Sequence, residues 1–152
     1  MTVKEIKQHL LDHCKSTVEK RYQKITQTIS DIQESLLEED KSSAGDKHET
    51  GRAMLQIDRE NAGKQLQEIE NIQKVLPKID VNATSDYARL GSLVYTDHAT
   101  YFISISVGDV LVGKTHYLCV ALHSPIGSFL SGKKKGDEFT FNAKMYKVTS
   151  VK

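Results

Sequence analysis

The sequence has no tryptophan, and it has only two prolines and two cysteines among its 152 residues. It contains no apolar run of about 18 residues, the length that suggests a membrane-spanning helix. Residues Met1–Leu11 are too charged for the apolar region of a signal peptide. Cys14 and Cys119 are far apart and belong to no C-x-x-C motif, which argues against a disulfide framework and favours two buried, reduced thiols. These absences predict a cytoplasmic protein without a membrane partner.

A strong charge of one sign is also missing. Residues 1–80 carry 13 basic and 15 acidic side chains, a net charge of −2, and residues 81–152 carry 8 and 5, a net charge of +3. Proteins that bind bare nucleic acid need a concentrated positive field. The composition therefore argues against free DNA or RNA as the first target.

Helical periodicity dominates the first half of the chain. Apolar residues recur every three or four positions over residues 3–37, without proline or glycine. A charged stretch with serine and glycine at residues 38–45 indicates a turn. A second helical run begins at about Glu49 and ends at Pro77. Because narrow apolar stripes need a partner and the connection is short, residues 1–77 are predicted to form an antiparallel coiled-coil hairpin with an acidic tip near residues 40–50.

Residues 78–90 resemble a linker with a polar lead-in, and strand-type patterns follow it. Five runs are predicted as strands: Ser92–Tyr95, Thr100–Val107, Tyr117–Leu122, Glu138–Asn142 and Met145–Val151. Ser124 as N-cap and Pro125 at the first helical position indicate one short helix ending at Leu130. The expected fold class is α+β, with the hairpin followed by a small β-rich domain at residues 78–152.

One segment of the β-rich half resembles a family signature. Residues 124–137 read S-P-I-G-S-F-L-S-G-K-K-K-G-D and resemble the S-P-[ILV]-x-x-x-L-x-G-[KR]-x-x-G-D pattern of the bacterial GreA/GreB transcript-cleavage factors. Gly45-Asp46-x-x-Glu49 resembles the G-D-x-x-E at the hairpin tip of that family. The order of parts, a hairpin and then a small β domain, covers essentially the whole chain.

The resemblance implies an FKBP-like fold for residues 78–152 and a role in transcription elongation. The hairpin is expected to enter the secondary channel of RNA polymerase, where Asp46 and Glu49 would help to hold a Mg²⁺ and its attacking water. The polymerase itself would then cut backtracked RNA, so this protein is not expected to be an enzyme, and its contact with the RNA 3′ end is indirect. The positions expected to dock on the polymerase are Ser124, Pro125, Ile126, Gly132, Lys133, Gly136 and Asp137.

The residue types suit this chemistry. Mg²⁺ prefers carboxylate oxygens, and paired metals can clamp the attacking and leaving oxygens of a phosphodiester. A D-x-x-E spacing places Asp46 and Glu49 on one helical face. Two carboxylates are an incomplete ligand set, so we expect no Mg²⁺ to bind to this protein alone, and we expect the protein to act as a monomer.

Departures from the family pattern keep other interpretations open. The family usually continues N-A-E-Y after the tip glutamate, whereas this chain has residues 50–53 as T-G-R-A, and His48 replaces a usual serine. Arg52 pairs either with Glu49 or with an RNA phosphate, and His48 either contacts RNA or is simply exposed. A binder that occupies the channel without promoting cleavage is the alternative function. Asp46-x-x-Glu49 is also a typical capping box.

Three further features have a structural explanation beside the functional one. Lys133-Lys134-Lys135 is either a solvated loop or a docking surface for acidic groups. His9 and His13 have zinc-like spacing but no third ligand nearby. A prolyl isomerase on the FKBP-like half would need an aromatic-lined pocket, which the sparse aromatic content disfavours.

Overall fold

The computed structural model describes residues 1–41 and 46–152, with side chains undescribed at residues 46–49. The helices are α1 (Val3–Lys41), α2 (Asp46–Val75) and α3 (Pro125–Leu130), with a short 3-10 turn at Leu76–Lys78. The strands are β1 (Leu93–Thr96), β2 (Thr100–Ser104), β3 (Gly108–Val112), β4 (Thr115–Ala121), β5 (Glu138–Phe141) and β6 (Lys144–Val151). Two long helices followed by a six-stranded sheet confirm the α+β class.

Both long helices extend closer to the tip than the sequence predicted. The 39 residues of α1 make it about 58 Å long and the 30 residues of α2 about 45 Å. Residues 38–41, predicted as turn, are helical, and α2 begins at Asp46 rather than near Glu49. Clustered charge was the wrong signal for a break, because glutamate and lysine are good helix formers. The rest of the predicted turn, residues 42–45, lies outside the described residues.

The chain divides into two compact units, residues 18–73 and residues 1–17 with 74–152. In the first unit, Ile25 and Ile29 of α1 are buried against Ala62 of α2. Nearer the tip, Arg52 of α2 contacts Asp40 of α1. Toward the tip, the contacts move forward in sequence along α1 and backward along α2. The two helices are therefore antiparallel, as predicted.

The second unit contains the sheet, whose strand order is β3-β4-β2-β1-β6-β5. Neighbouring strands are antiparallel except β2 and β4, which are parallel and pair Phe102 with Cys119. The predicted run Thr100–Val107 is too long, because β2 ends at Ser104 and the chain turns before Gly108, where φ is +82°. The sequence missed β3 entirely, since its run is short and begins with glycine and aspartate.

The core of this unit lies between the sheet and the helices that pack on it. Its buried residues include Val94, Ile103, Leu130 and Val148, and the unit also includes the first turns of α1, where Leu10 and Cys14 are buried. No helix in the described part of the chain has the length and apolar character needed to cross a membrane.

Candidate functional site: the hairpin tip and the signature turn

The tip acids open α2. Asp46 is the first residue of that helix and Glu49 follows three residues later, so the backbone presents both on one helical face. Their side chains, and that of His48, lie outside the described residues. Two carboxylates would leave most positions of a six-coordinate Mg²⁺ to other donors. Such a pair fits a metal that is shared with a second protein.

The described residues contain no other candidate metal centre. Among them, no group of three or more histidine, cysteine, aspartate or glutamate side chains is arranged to hold an ion.

Below the tip, residues that depart from the family pattern link the two helices. The guanidinium of Arg52 contacts the carboxylate of Asp40, with 41% and 53% of the two side chains exposed. The sequence had offered Glu49 or an RNA phosphate as partners. A Cβ at Gly51 would lie 3.3 Å from Glu39 Oε1, an atom at the end of a flexible side chain of α1. An ion pair this exposed contributes about 0–1 kcal/mol to stability.

The first half of the signature builds α3. The Ser124 hydroxyl accepts a hydrogen bond from Gly127 N at 3.1 Å and donates one to Ala121 O at 2.7 Å. This confirms Ser124 as N-cap, with Pro125 at the start of the helix. A Cβ at Gly127 would lie 2.0 Å from Ala121 O. Glycine is therefore required where the family pattern was interpreted as variable.

The second half of the signature is a turn held by backbone hydrogen bonds. Gly132 (φ +79°) donates to Ala88 O at 2.7 Å, and Gly136 (φ +94°) donates to Val148 O at 2.8 Å. The Asp137 carboxylate accepts from Lys134 N at 2.8 Å. Both glycines occupy the left-handed region that other residues rarely adopt. The spacing of Gly132 and Gly136 in the signature is thus explained by the left-handed backbone and the hydrogen bonds at these two positions.

The signature residues differ in how much surface they offer a partner. Ile126 packs against the core, and Lys133 is half-buried, with Nζ 5.9 Å from the centre of the Phe139 ring. Lys134 and Lys135 are exposed. Phe129, which the sequence analysis did not single out, is 44% exposed. Contacts to another protein would fall on these exposed side chains, whereas the glycines and Asp137 shape the turn that presents them.

An aromatic cluster beside this turn escaped the sequence analysis. Phe129 of α3 lies 6.1 Å from Phe139 and 5.5 Å from Phe141, and Phe139 stacks on Tyr146 at 5.1 Å. Burial, together with the neighbouring Tyr146, raises the pKa of Tyr101 to about 12. The rings come from three elements and meet because β5 pairs with β6 and α3 packs beside β5.

The two cysteines are both buried and free, as predicted. The tertiary structure nevertheless brings them close enough to interact, and Cys14 Sγ also lies 3.7 Å from the Ser104 hydroxyl. The neighbouring Cys14 side chain and burial raise the pKa of the Cys119 thiol. Both side chains belong to the core of the sheet unit.

Comparisons with known proteins add little. No family model matches the chain, and no curated protein matches it. Among solved structures, the chain is similar to "Structure of the transcription factor Gfh1", with 17% identity over 86% of this chain and 92% of that one and a TM-score of 0.34. A likeness this distant supports no inference about function.

Proposed function

We propose that this chain is a Gre-type transcription elongation factor that binds RNA polymerase through the secondary channel. The observation that carries the proposal is the combination of two motifs in their expected elements. Asp46-x-x-Glu49 opens the second helix of an antiparallel hairpin, and Ser124–Asp137 forms a capped helix and a turn in the sheet unit. A hairpin about 45 Å long would carry the two acids deep into a narrow channel.

In this proposal the tip carboxylates of Asp46 and Glu49 share a metal with the polymerase and orient a water molecule. A Mg²⁺ held there would activate that water for attack on the RNA phosphodiester. The catalytic centre belongs to the polymerase, so the isolated protein should have no nuclease activity. The exposed lysines of the signature turn would contact acidic groups on the outer surface of the polymerase.

The second candidate function is a channel binder that does not promote cleavage. The observation that favours it is the Arg52–Asp40 contact, which places a cation close to the tip where the family pattern has an acid. A positive charge near Asp46 and Glu49 would compete with Mg²⁺ for the carboxylates. Both candidate functions use the same binding site on the polymerase, and they differ in whether the tip carboxylates promote RNA cleavage.

Backtracked elongation complexes assembled with the polymerase of the source organism test both candidates. The wild-type protein should release short 3′ RNA fragments, and Asp46→Asn or Glu49→Gln should slow release by about 10–100-fold, a range typical of groups that position a metal. Glu60→Gln is the control, because Glu60 is an exposed acid further along α2.

Binding to the same complexes is measured in parallel. Wild-type binding with slowed elongation and no fragment release would favour the second candidate. If the wild-type protein does not bind polymerase at all, both candidates are wrong.

A further inference from the structure

A solvent-open groove runs along the 18–73 unit, between α1 and α2. Its volume is about 840 Å³. The apolar side chains that line it are Ile25, Ile32, Ala62, Ile69 and Ile72. Ile25 and Ala62 at its floor are already buried, whereas Ile32, Ile69 and Ile72 are partly exposed. An apolar groove of this kind on a two-helix unit could bury further side chains.

The two rims of the groove carry opposite charges. Arg21 and Lys24 lie on the α1 side, and Asp58 and Glu68 lie on the α2 side. All four are exposed. Among the described residues, none of these four forms an ion pair. The rims are therefore available to charges from outside the hairpin.

The apolar surface continues toward the tip along α2. Met54 and Ile57 are 63% and 57% exposed. Residues three or four positions apart share a helical face, so Ile57 lies in line with three residues that line the groove, Asn61, Gln65 and Glu68. Two large apolar side chains on that line extend the surface that a partner could cover.

We infer that the groove binds a second copy of this chain, so that two hairpins associate side by side. A two-fold axis parallel to the helices sets the basic rim of each copy against the acidic rim of the other. The antiparallel register that joins Asp40 to Arg52 also brings Lys24 level with Glu68. Each Lys24 would then face Glu68 of the other copy, once on each side of the interface.

The alternative two-fold axis, perpendicular to the helices, would oppose basic rim with basic rim and acidic rim with acidic rim. Like charges placed opposite each other disfavour that arrangement. Charge complementarity therefore selects one geometry, in which both hairpin tips point the same way. It also makes the groove self-complementary, as a symmetric interface requires.

The expected dimer is weak and reversible. The groove extends along α1 from Arg21 to Ile32, which is about three helical turns or 17 Å. An interface on this scale is at the small end of specific interfaces. We expect a dissociation constant of about 10–100 µM, within the range of small transient contacts, and a monomer at lower concentrations.

The consequence for activity rests on the proposed function. Two paired hairpins form a four-helix rod that is wider than a single hairpin. A channel that admits one hairpin would exclude the pair. Dimerisation would thus hold the protein in a form that cannot engage polymerase, and dilution or competition by polymerase would release it.

Charge exchange in the full-length chain tests the interface by sedimentation equilibrium from about 1 to 300 µM. Lys24→Glu sets an acid against Glu68 of the other copy, and Glu68→Lys sets a base against Lys24 of the other copy, so each should weaken self-association at least about tenfold. The double variant restores opposite charges at this pair of positions and should regain self-association. An equimolar mixture of the two single variants should form a mixed dimer.

Lys64→Glu is the matched control, since Lys64 is exposed on α2 but does not line the groove. Glutamate and lysine have similar helix propensity, and circular dichroism checks that each variant is folded. A wild-type chain that stays monomeric throughout, or single variants that associate like wild type, would overturn the inference. Because no polymerase is present, these failures would leave the proposed function intact.

Discussion

Two residues between β5 and β6 adopt a backbone conformation that is unfavourable for side chains. Asn142 and Ala143 have φ values of +51° and +61°. Two consecutive left-handed residues form the type I′ turn that joins tightly paired strands, and glycine is strongly preferred at the second position. Asparagine tolerates this region, whereas the alanine Cβ costs about 1 kcal/mol there. The turn thus contains a local strain at Ala143.

Replacing Ala143 by glycine should therefore stabilise the protein. We expect the free energy of unfolding in urea to rise by about 0.5–1 kcal/mol, because the relief of strain exceeds the greater flexibility of glycine in the unfolded chain. Ala53→Gly is the control, since Ala53 is exposed within α2 and the change should cost about 1 kcal/mol. Equal destabilisation by both variants would show that Ala143 is not strained.

At the scale of elements, α3 depends on its surroundings. Its six residues are too few for a helix that is stable by itself. The Ser124 cap and the packing of Gly127 on the end of β4 hold it in place. The serine and proline were enough to predict the helix from the sequence. The requirement for glycine was not predictable, because Ala121 O approaches that position only in the folded chain.

Gly127→Ala should consequently disrupt the signature helix. The new Cβ would meet a backbone carbonyl at 2.0 Å, and neither α3 nor β4 can move without losing core contacts. We expect a loss of about 1–3 kcal/mol, the usual cost of overpacking, as a lower midpoint of thermal unfolding. Ser128→Ala, at the next and exposed position, should change stability by less than about 0.5 kcal/mol. A Gly127→Ala protein as stable as wild type would contradict this account.

At the scale of the molecule, a buried lysine connects distant parts of the chain. Lys7 of α1 is 1% exposed, and its ammonium donates a hydrogen bond to Ala83 O at 3.1 Å. Burial, assisted by the positive charge of Arg89 and opposed by Asp80, lowers the pKa of Lys7. The helical periodicity of α1 had assigned this position to a polar face.

The lowered pKa of Lys7 makes stability depend on pH. In the unfolded chain the pKa of Lys7 is the ordinary lysine value of 10.5. At pH values between the folded-state pKa and 10.5, the folded protein therefore binds fewer protons than the unfolded chain. The free energy of unfolding consequently rises with pH in this range. The free energy of unfolding of wild type, relative to Lys7→Met, should therefore increase as the pH approaches 10.5. Below the folded-state pKa the difference should be constant.

Denaturant unfolding across this pH range measures the effect. Lys4→Met serves as the matched control, because Lys4 is exposed on the same helix. The free energy of unfolding of wild type, relative to Lys4→Met, should not increase with pH in this way. If the free energy of unfolding of wild type, relative to Lys7→Met, instead falls as the pH rises, the pKa of Lys7 is not lowered in the folded protein.

The sequence by itself determined the features that depend on neighbouring residues. The helical period, Pro77 and the Ser124-Pro125 pair act within a few positions, so both long helices and the position of α3 were predictable. Local signals were weaker at element ends, where the charged residues 38–41 continued α1. They failed for β3, whose short run carries little pattern.

Tertiary structure decided everything that joins distant positions. The parallel pairing of β2 with β4, the approach of Cys14 to Cys119 and the burial of Lys7 all link residues that are far apart in the chain. The groove lies where the register of α1 and α2 sets Ala62 among isoleucines. Periodicity specifies which face of an element is apolar, but packing alone selects what that face meets, because contact energies depend on positions that local sequence does not encode.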